Sequence, residues 1–186
     1  MLEKPIYCQL NCTRGSILLK CSNLSLLSKK YKDKELKGES QVKKYSFYMI
    51  TKLEKMIKKV KSLNEVVSIP PKLPDNSQIK LLEKESGLIF HPDFKYFLMN
   101  ASNLTYGVIE PVTAYPDSGH TYFLEVLIDA RANGISTNDI PICEDNGNYY
   151  CVQENGEVVF WDHNGGPKDS WKSIADWIEK VWLKNC

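Results

Sequence analysis

The chain has 186 residues, 42% of them hydrophobic and 25% charged, which suits one ordinary globular domain with or without a tail. That length buries a core without staples, and no apolar stretch approaches the ~20 residues that span a bilayer, so a transmembrane helix is excluded and no membrane partner is expected. The formal net charge of +1 conceals a division: residues 1–64 hold 15 basic and 5 acidic side chains, residues 65–186 hold 9 and 18, so a segment at +10 precedes one at −9, and the two parts differ in partner or in origin.

Residues 1–44 show no sustained hydrophobic period. They are expected to form a basic, disordered tail that packs little against the rest, with the lysine-rich run over residues 29–40 as a linker. A nucleic-acid arm is the other reading of those lysines. Arg14 stands alone, however, and the usual interleaving of arginines and aromatics is missing, so no direct nucleic-acid contact is expected. Lys37-Gly38-Glu39 can be encoded by the purine-rich AAA-GGA-GAA, which makes Val42 or Met49 a candidate start. Residues 1–19 are broken by Glu3, Lys4, Asn11 and Arg14 and carry no secretory apolar region. The six cysteines (Cys8, Cys12, Cys21, Cys143, Cys151 and Cys186) are therefore expected as free thiols in a reducing cytoplasm.

Residues 45–186 are expected to form a single domain. A helix begins near Tyr45, with Ile50, Leu53, Met56 or Ile57, and Val60 on one face and lysines on the rest. Ile69-Pro70-Pro71-Lys72-Leu73-Pro74 is extended, because each proline disfavours helix in the residue before it. Asp75 then caps a helix carrying Ile79 and Leu82, with Gln78 completing a capping box and Gly87 as the stop. His91-Pro92-Asp93 opens the next helix, with Phe94, Phe97 and Leu98 on one side. Residues 105–112 read as a strand ended by Pro111. Asp117, Ser118 or Thr121 is placed to cap a further helix that runs to Asn133 and stops at Gly134.

Asn146-Gly147 and Asn155-Gly156 each sit between β-prone runs, the strongest short-range hairpin signal. Two-residue turns at both set Asp145 opposite Asn148, Cys143 opposite Tyr150 and Ile142 opposite Cys151. Across the second turn they set Val152 opposite Val159, Cys151 opposite Phe160, Tyr150 opposite Trp161 and Tyr149 opposite Asp162. One face then carries Tyr150, Val152, Val159 and Trp161 and is expected in the core; Cys143 and Cys151 point to opposite faces. Ser170 caps a last helix with Ile174, Trp177, Ile178, Val181 and Trp182 inward.

The sequence contains no Walker loop, no G-x-G-x-x-G, no G-x-S-x-G and no H-E-x-x-H. Cys8-x-x-x-Cys12 lacks a second ligand pair, so neither metal nor cofactor is expected. The one constellation with acid–base character is His120 with Glu125 and Asp129, which share a helix face at i, i+4 and would suit a small hydrolase.

Leu82-Glu83-Lys84-Glu85-Ser86-Gly87-Leu88-Ile89-Phe90-His91-Pro92-Asp93-Phe94-Lys95-Tyr96-Phe97-Leu98 resembles the opening signature of the SUKH (Smi/Knr-type) superfamily: a helix bearing an acidic residue, a Gly-Leu turn, a short extended step, then Tyr/Phe-Lys-x-Phe-Leu. Ile140-Pro141-Ile142-Cys143-Glu144-Asp145-Asn146-Gly147-Asn148-Tyr149-Tyr150-Cys151 resembles the family's P-I-x-x-x-x-G-D-Y-Y-C strand pair. Gly156-Glu157-Val158-Val159-Phe160-Trp161-Asp162-His163 resembles the strand that follows it. The motifs keep the family's order over about residues 69–183. Gly147-Asn148 stands where the family has Gly-Asp, and Asn100-Ala101-Ser102-Asn103 where it often has Asn-Gly-Gly.

The resemblance implies an α+β fold, a mainly antiparallel sheet flanked by N-terminal and C-terminal helices. It also implies a non-catalytic role, either as an immunity protein that blocks a cognate protein toxin or as a regulatory interaction scaffold. The −9 charge beyond residue 64 suits the first, because a nuclease toxin presents a basic cleft. On the predicted register the second sheet face carries Glu144, Tyr149, Gln153 and Asp162, which are expected to meet the partner, with Glu125 and Asp129 as the alternative surface.

Overall fold

Helix α1, over residues 52–63, buries Leu53, Met56, Ile57 and Val60, the predicted stripe. The computed structural model describes residues 52–184; the expected basic tail over residues 1–44 and the helix start near Tyr45 lie outside them. Lys52 pairs with Asp176 and, at 3.1 Å, with Glu179, which ties α1 to the last helix. After the proline-rich step comes α2 (Asn76–Ser86). Asp75 caps it by accepting from the Ser77 and Gln78 amides, both at 2.9 Å. The reciprocal half of the capping box is not made: the Gln78 side chain donates through Nε2 to the Ala114 carbonyl at 2.8 Å, a tertiary bond that the local pattern does not encode.

Gly87 ends α2 at φ 70. Glu83 then holds the step to α3 (Pro92–Ala101), accepting from Lys95 Nζ and from the Phe90 amide, each at 2.8 Å. Burial pushes the Glu83 carboxyl up, but Lys95 and the Phe90 N–H outweigh it and hold the group below the usual carboxylate range. His91 caps α3 through Nδ1, which accepts from the Asp93 amide at 3.2 Å.

The strand expected over residues 105–112 is not formed. Tyr106 bridges Ile109 and Pro111 bridges Cys143 as isolated pairs. Gly107 at φ 62 turns the chain, and Pro111 has no N–H to continue a ladder. A 3₁₀ turn (Pro116–Thr121), interrupted at Gly119 with φ 65, absorbs Asp117 and Ser118. Helix α4 (Phe123–Ala132) begins after it with no side-chain cap, so none of the three expected caps is used. Arg131, near the end of α4, donates to the carbonyls of Ile135, Ser136, Thr137 and Asp139 and thereby fixes the loop into the sheet.

The sheet is antiparallel in the order β1 (Ile140–Asp145), β2 (Asn148–Val152), β3 (Val158–Asp162), β4 (Gly166–Trp171). The first hairpin follows the prediction near its turn. Asn146 and Gly147 both have positive φ, 51 and 81, as a two-residue turn requires, and Asp145 pairs with Asn148. Further along, Pro141 rather than Ile142 pairs with Cys151, because a bulge leaves Ile142 unpaired.

The second hairpin is corrected by one residue. Tyr149 pairs with Trp161, Tyr150 with Phe160, Cys151 with Val159 and Val152 with Val158. Only Gly156 of its Asn-Gly pair has positive φ, 85. The turn has three residues, closed by Gly156 N–H to the Gln153 carbonyl at 2.9 Å and Gln153 N–H to the Glu157 carbonyl at 2.8 Å. Asn155 Oδ1 accepts from the Glu157 amide at 2.9 Å, an Asx turn that uses the asparagine in another way.

That slip exchanges the two faces of β3. Val158, fully buried, and Phe160 join Tyr150 and Val152 beneath α5 (Ile174–Trp177), which continues as a π-helical turn (Ile178–Trp182). Ser173 rather than the expected Ser170 caps α5, accepting from the Asp176 amide at 3.2 Å, while Ser170 is still within β4. Tyr150 lies 4.9 Å from Phe160 and 5.5 Å from Trp177, ring centre to ring centre, and Phe97 extends the aromatic core to Trp177 and Trp182. Val159 and Trp161 fall on the face of Tyr149 and Cys151, which Asn133, the residue that ends α4, reaches through the Tyr149 hydroxyl. Cys143 and Cys151 do point to opposite faces, and burial pushes both thiols far above their usual range.

A Cβ at Gly156 would sit 2.8 Å from the His91 ring, whereas one at Gly147 meets nothing nearer than 3.8 Å. Gly156→Ala is therefore expected to cost ~1–3 kcal/mol in urea unfolding, more than Gly147→Ala, and His91→Ser should recover part of the loss. Equal costs at the two glycines would contradict this packing.

Candidate functional site

The chemistry-bearing side chains converge at the β1–β2 turn. The Val112 amide donates to the Ile142 carbonyl at 3.0 Å, and with the Pro111–Cys143 bridge this lays residues 108–113 along the outer edge of β1. Glu110 thereby arrives beside Glu144 and Asp145. Thr113 N–H donates to the Thr121 carbonyl at 2.8 Å and Phe123 N–H to the Thr113 carbonyl at 2.9 Å, clipping the 3₁₀ turn to the same segment. His120 Nε2 then lies 2.8 Å from Glu110 Oε2. The result is a groove of about 160 Å³ with Glu110, His120, Glu144 and Asp145 at its walls and Val108, Val112 and Val126 among its lining. A second groove of about 170 Å³ shares Glu110, His120 and Thr121 with the first and includes Asn103 and Ser118.

The predicted partner-binding residues do not form one surface. Glu144 is exposed at the first groove, where its Oε1 accepts from the Gly147 amide at 2.6 Å. Glu125 and Asp129 are exposed on α4. Tyr149 is 3% exposed, with Asn133 donating to its hydroxyl at 3.3 Å. Burial pushes that hydroxyl up, Asn133 offsets part of the effect, and the charges of Glu144 and Asp129 push it further.

The other two residues are elsewhere. Gln153 donates to Asp139 at 3.2 Å, and Asp162 is held by Lys168 at 2.5 Å in the β3–β4 turn. Lys168 and the Asn164 amide keep the Asp162 carboxyl below its usual range. The one-residue slip is the physical reason: it removes Asp162 from the position opposite Tyr149 and puts Trp161 there, ring centres 6.2 Å apart.

His120 bonds to Glu110 rather than to the expected Glu125 or Asp129. Glu110 and Asp145 were not singled out from the sequence. The single local hint was Pro111, which marks where residues 105–112 leave the ladder. Among the described residues no group of three or more His, Cys, Asp or Glu is arranged to hold a metal ion, and no helix is long and apolar enough to cross a membrane.

The SMI1-KNR4 cell-wall model of the SUKH group matches residues 53–183. The chain belongs to the SUKH family. A solved structure described as that of a protein from Pseudomonas syringae pv. tomato shares 38% identity with a TM-score of 0.66, covering 70% of this chain and 98% of its own. No curated protein matches. Both matches agree with the α+β architecture above, an antiparallel four-stranded sheet with helices on both sides. In this SUKH domain the Gly147 turn is the one on which Glu144 is fixed.

Burial separates two of the candidate residues experimentally. Tyr149→Ala is expected to lower unfolding free energy by ~3 kcal/mol, in the range for a buried aromatic, while Glu144→Ala changes it by less than ~1 kcal/mol. Chemical denaturation of the two variants checks this; a fully stable Tyr149→Ala would place the ring on the surface.

Proposed function

We propose that this chain is a cytoplasmic immunity protein that neutralises a basic protein toxin, of the nuclease kind, by stoichiometric binding and without catalysis. The observation that carries the reading is the acidic surface of a SUKH domain: residues 65–186 hold 18 acidic against 9 basic side chains, and Glu110, Glu144 and Asp145 line one groove. A nuclease must offer a basic cleft to phosphates, and an acidic partner meets that cleft quickly and in register. Glu125 and Asp129, exposed on α4, extend the same charge. The cell-wall description of the matching family model supports a second reading, a regulatory scaffold with a host-protein partner.

Titration of a toxin domain encoded beside this chain separates these possibilities. Inhibition of the toxin is expected to end at one chain per toxin, with a 1:1 complex on size exclusion. Complete inhibition at a small fraction of equivalence would mean catalytic action, and absence of a complex at micromolar concentration would favour the scaffold.

A further inference from the structure

Asp93 is the one charged side chain buried among the described residues, 7% exposed. The other buried polar side chains are bonded: Ser102 donates to the Leu98 carbonyl, Thr113 meets Thr121, and Ser173 caps α5. The Asp93 carboxyl has neither a donor nor a cation as partner among the described residues. It stands in the first turn of α3, where backbone N–H groups have no partner within the helix. His91 holds that turn from two sides. Its Nδ1 accepts from the Asp93 amide at 3.2 Å, and the Cε1–Nε2 edge of the same ring lies against Gly156, which is buried. A nitrogen that accepts carries no proton, so the capping ring is the neutral one.

A carboxylate in that position has given up water and received no hydrogen bond in return. It also favours the cationic form of the neighbouring ring, and a proton on Nδ1 turns the cap's acceptor into a donor. A protonated Asp93 removes both conflicts. Burial pushes the Asp93 carboxyl up, and His91 offsets part of the effect. Around them, Glu83 of α2 pairs with Lys95 of α3, and Glu154 and Glu157 stand on either side of Gly156 in the β2–β3 turn. Helix α4 meets this end of α3 through the Phe123 ring, 5.2 Å from Phe90 and 6.0 Å from Phe94, centre to centre.

We propose that Asp93 and His91 form a proton-responsive latch between α3 and the β2–β3 turn: with Asp93 uncharged the His91 ring is held closed on Gly156, and with Asp93 charged the contact loosens. The latch is internal to the domain and does not depend on a partner. Because burial raises the carboxyl, the folded chain binds this proton more tightly than the unfolded one. The stabilisation is full below the ordinary carboxylate range and is lost as pH rises through the folded-state value. Glu83 and Asp162, held below their usual range, act in the opposite direction.

Thermal melts of the full chain test the charge. Asp93→Asn is expected to melt about 3 °C or more above wild type at about pH 7, with the difference closing by about pH 4. Asp93→Ala, which brings no buried amide, should show the same fall relative to wild type on acidification. Comparison with wild type at each pH cancels the other titrating groups. Hydrogen exchange at the Gly156 amide, which donates to the Gln153 carbonyl at 2.9 Å, reads the turn. Corrected for the intrinsic rate, its protection should rise about threefold or more from about pH 7 to about pH 5 in wild type and stay level in Asp93→Asn. On a His91→Asn background, which keeps a capping acceptor but no ring on Gly156, the melting trend should persist and the Gly156 trend should vanish.

A melting difference that stays flat or rises on acidification in both Asp93 variants would overturn the proposal, since a carboxylate that serves the positive end of α3 gives the rise. Protection at Gly156 that follows pH equally in wild type and Asp93→Asn would overturn it as well.

Discussion

Burial of the sheet on both faces is the constraint on which the rest of this structure depends. Tyr150, Val152, Val158 and Phe160 lie under α5, while Tyr149, Cys151, Val159 and Trp161 lie toward α4. A sheet with one free face tolerates a slipped strand at moderate cost. Here a slip of one residue would exchange Val158 for Val159 on one side and Trp161 for Phe160 on the other, so both layers would have to repack. The turn closed by Gln153 and Glu157 sets the register, and Gly156 lets that turn pack against His91, the cap of α3. The hairpin and the helix layer therefore depend on each other.

The surface that this scaffold presents is built from distant residues. Residues 108–113 run along the edge of β1, the 3₁₀ turn is clipped to them through Thr113, and the tight Asn146-Gly147 turn holds Glu144. At the groove Glu110 is held by the His120 ring, Glu144 by the Gly147 amide and Asp145 by the Asn146 side chain, with no lysine paired to any of them. Rigid elements with a loop-borne, uncompensated charge are what a recognition surface requires, since little ordering remains to be done on binding. Arg131 serves the same end from the other side, with its guanidinium shared among four carbonyls of the loop that leads into β1.

Local chemistry was legible in the sequence at several helix ends and at the first hairpin turn. Asp75 caps α2, Gly87 ends it, His91 caps α3 ahead of Pro92, and Asn146-Gly147 makes a two-residue turn, all for reasons that a few residues contain. The same dipeptide misled at Asn155-Gly156, because Asn155 spends its side chain on the Glu157 amide and leaves only the glycine with positive φ. From that one residue followed the wrong pairing of Tyr149 with Asp162, and with it a surface patch that the molecule does not contain. The groove was not legible, because the Pro111–Cys143 bridge brings Glu110 to Glu144 across 32 residues and His120 reaches Glu110 through a 3₁₀ turn, neither of which a local period records. The family was legible because its motifs keep their order over most of the domain.

We propose that this SUKH domain recognises its partner through fixed negative charge. The most direct test is the association rate with a captured toxin domain, measured by stopped flow at about 20 mM and about 500 mM salt. Electrostatic steering predicts a fall of about tenfold or more in that rate, with a much smaller change in dissociation. An association rate indifferent to salt would contradict it.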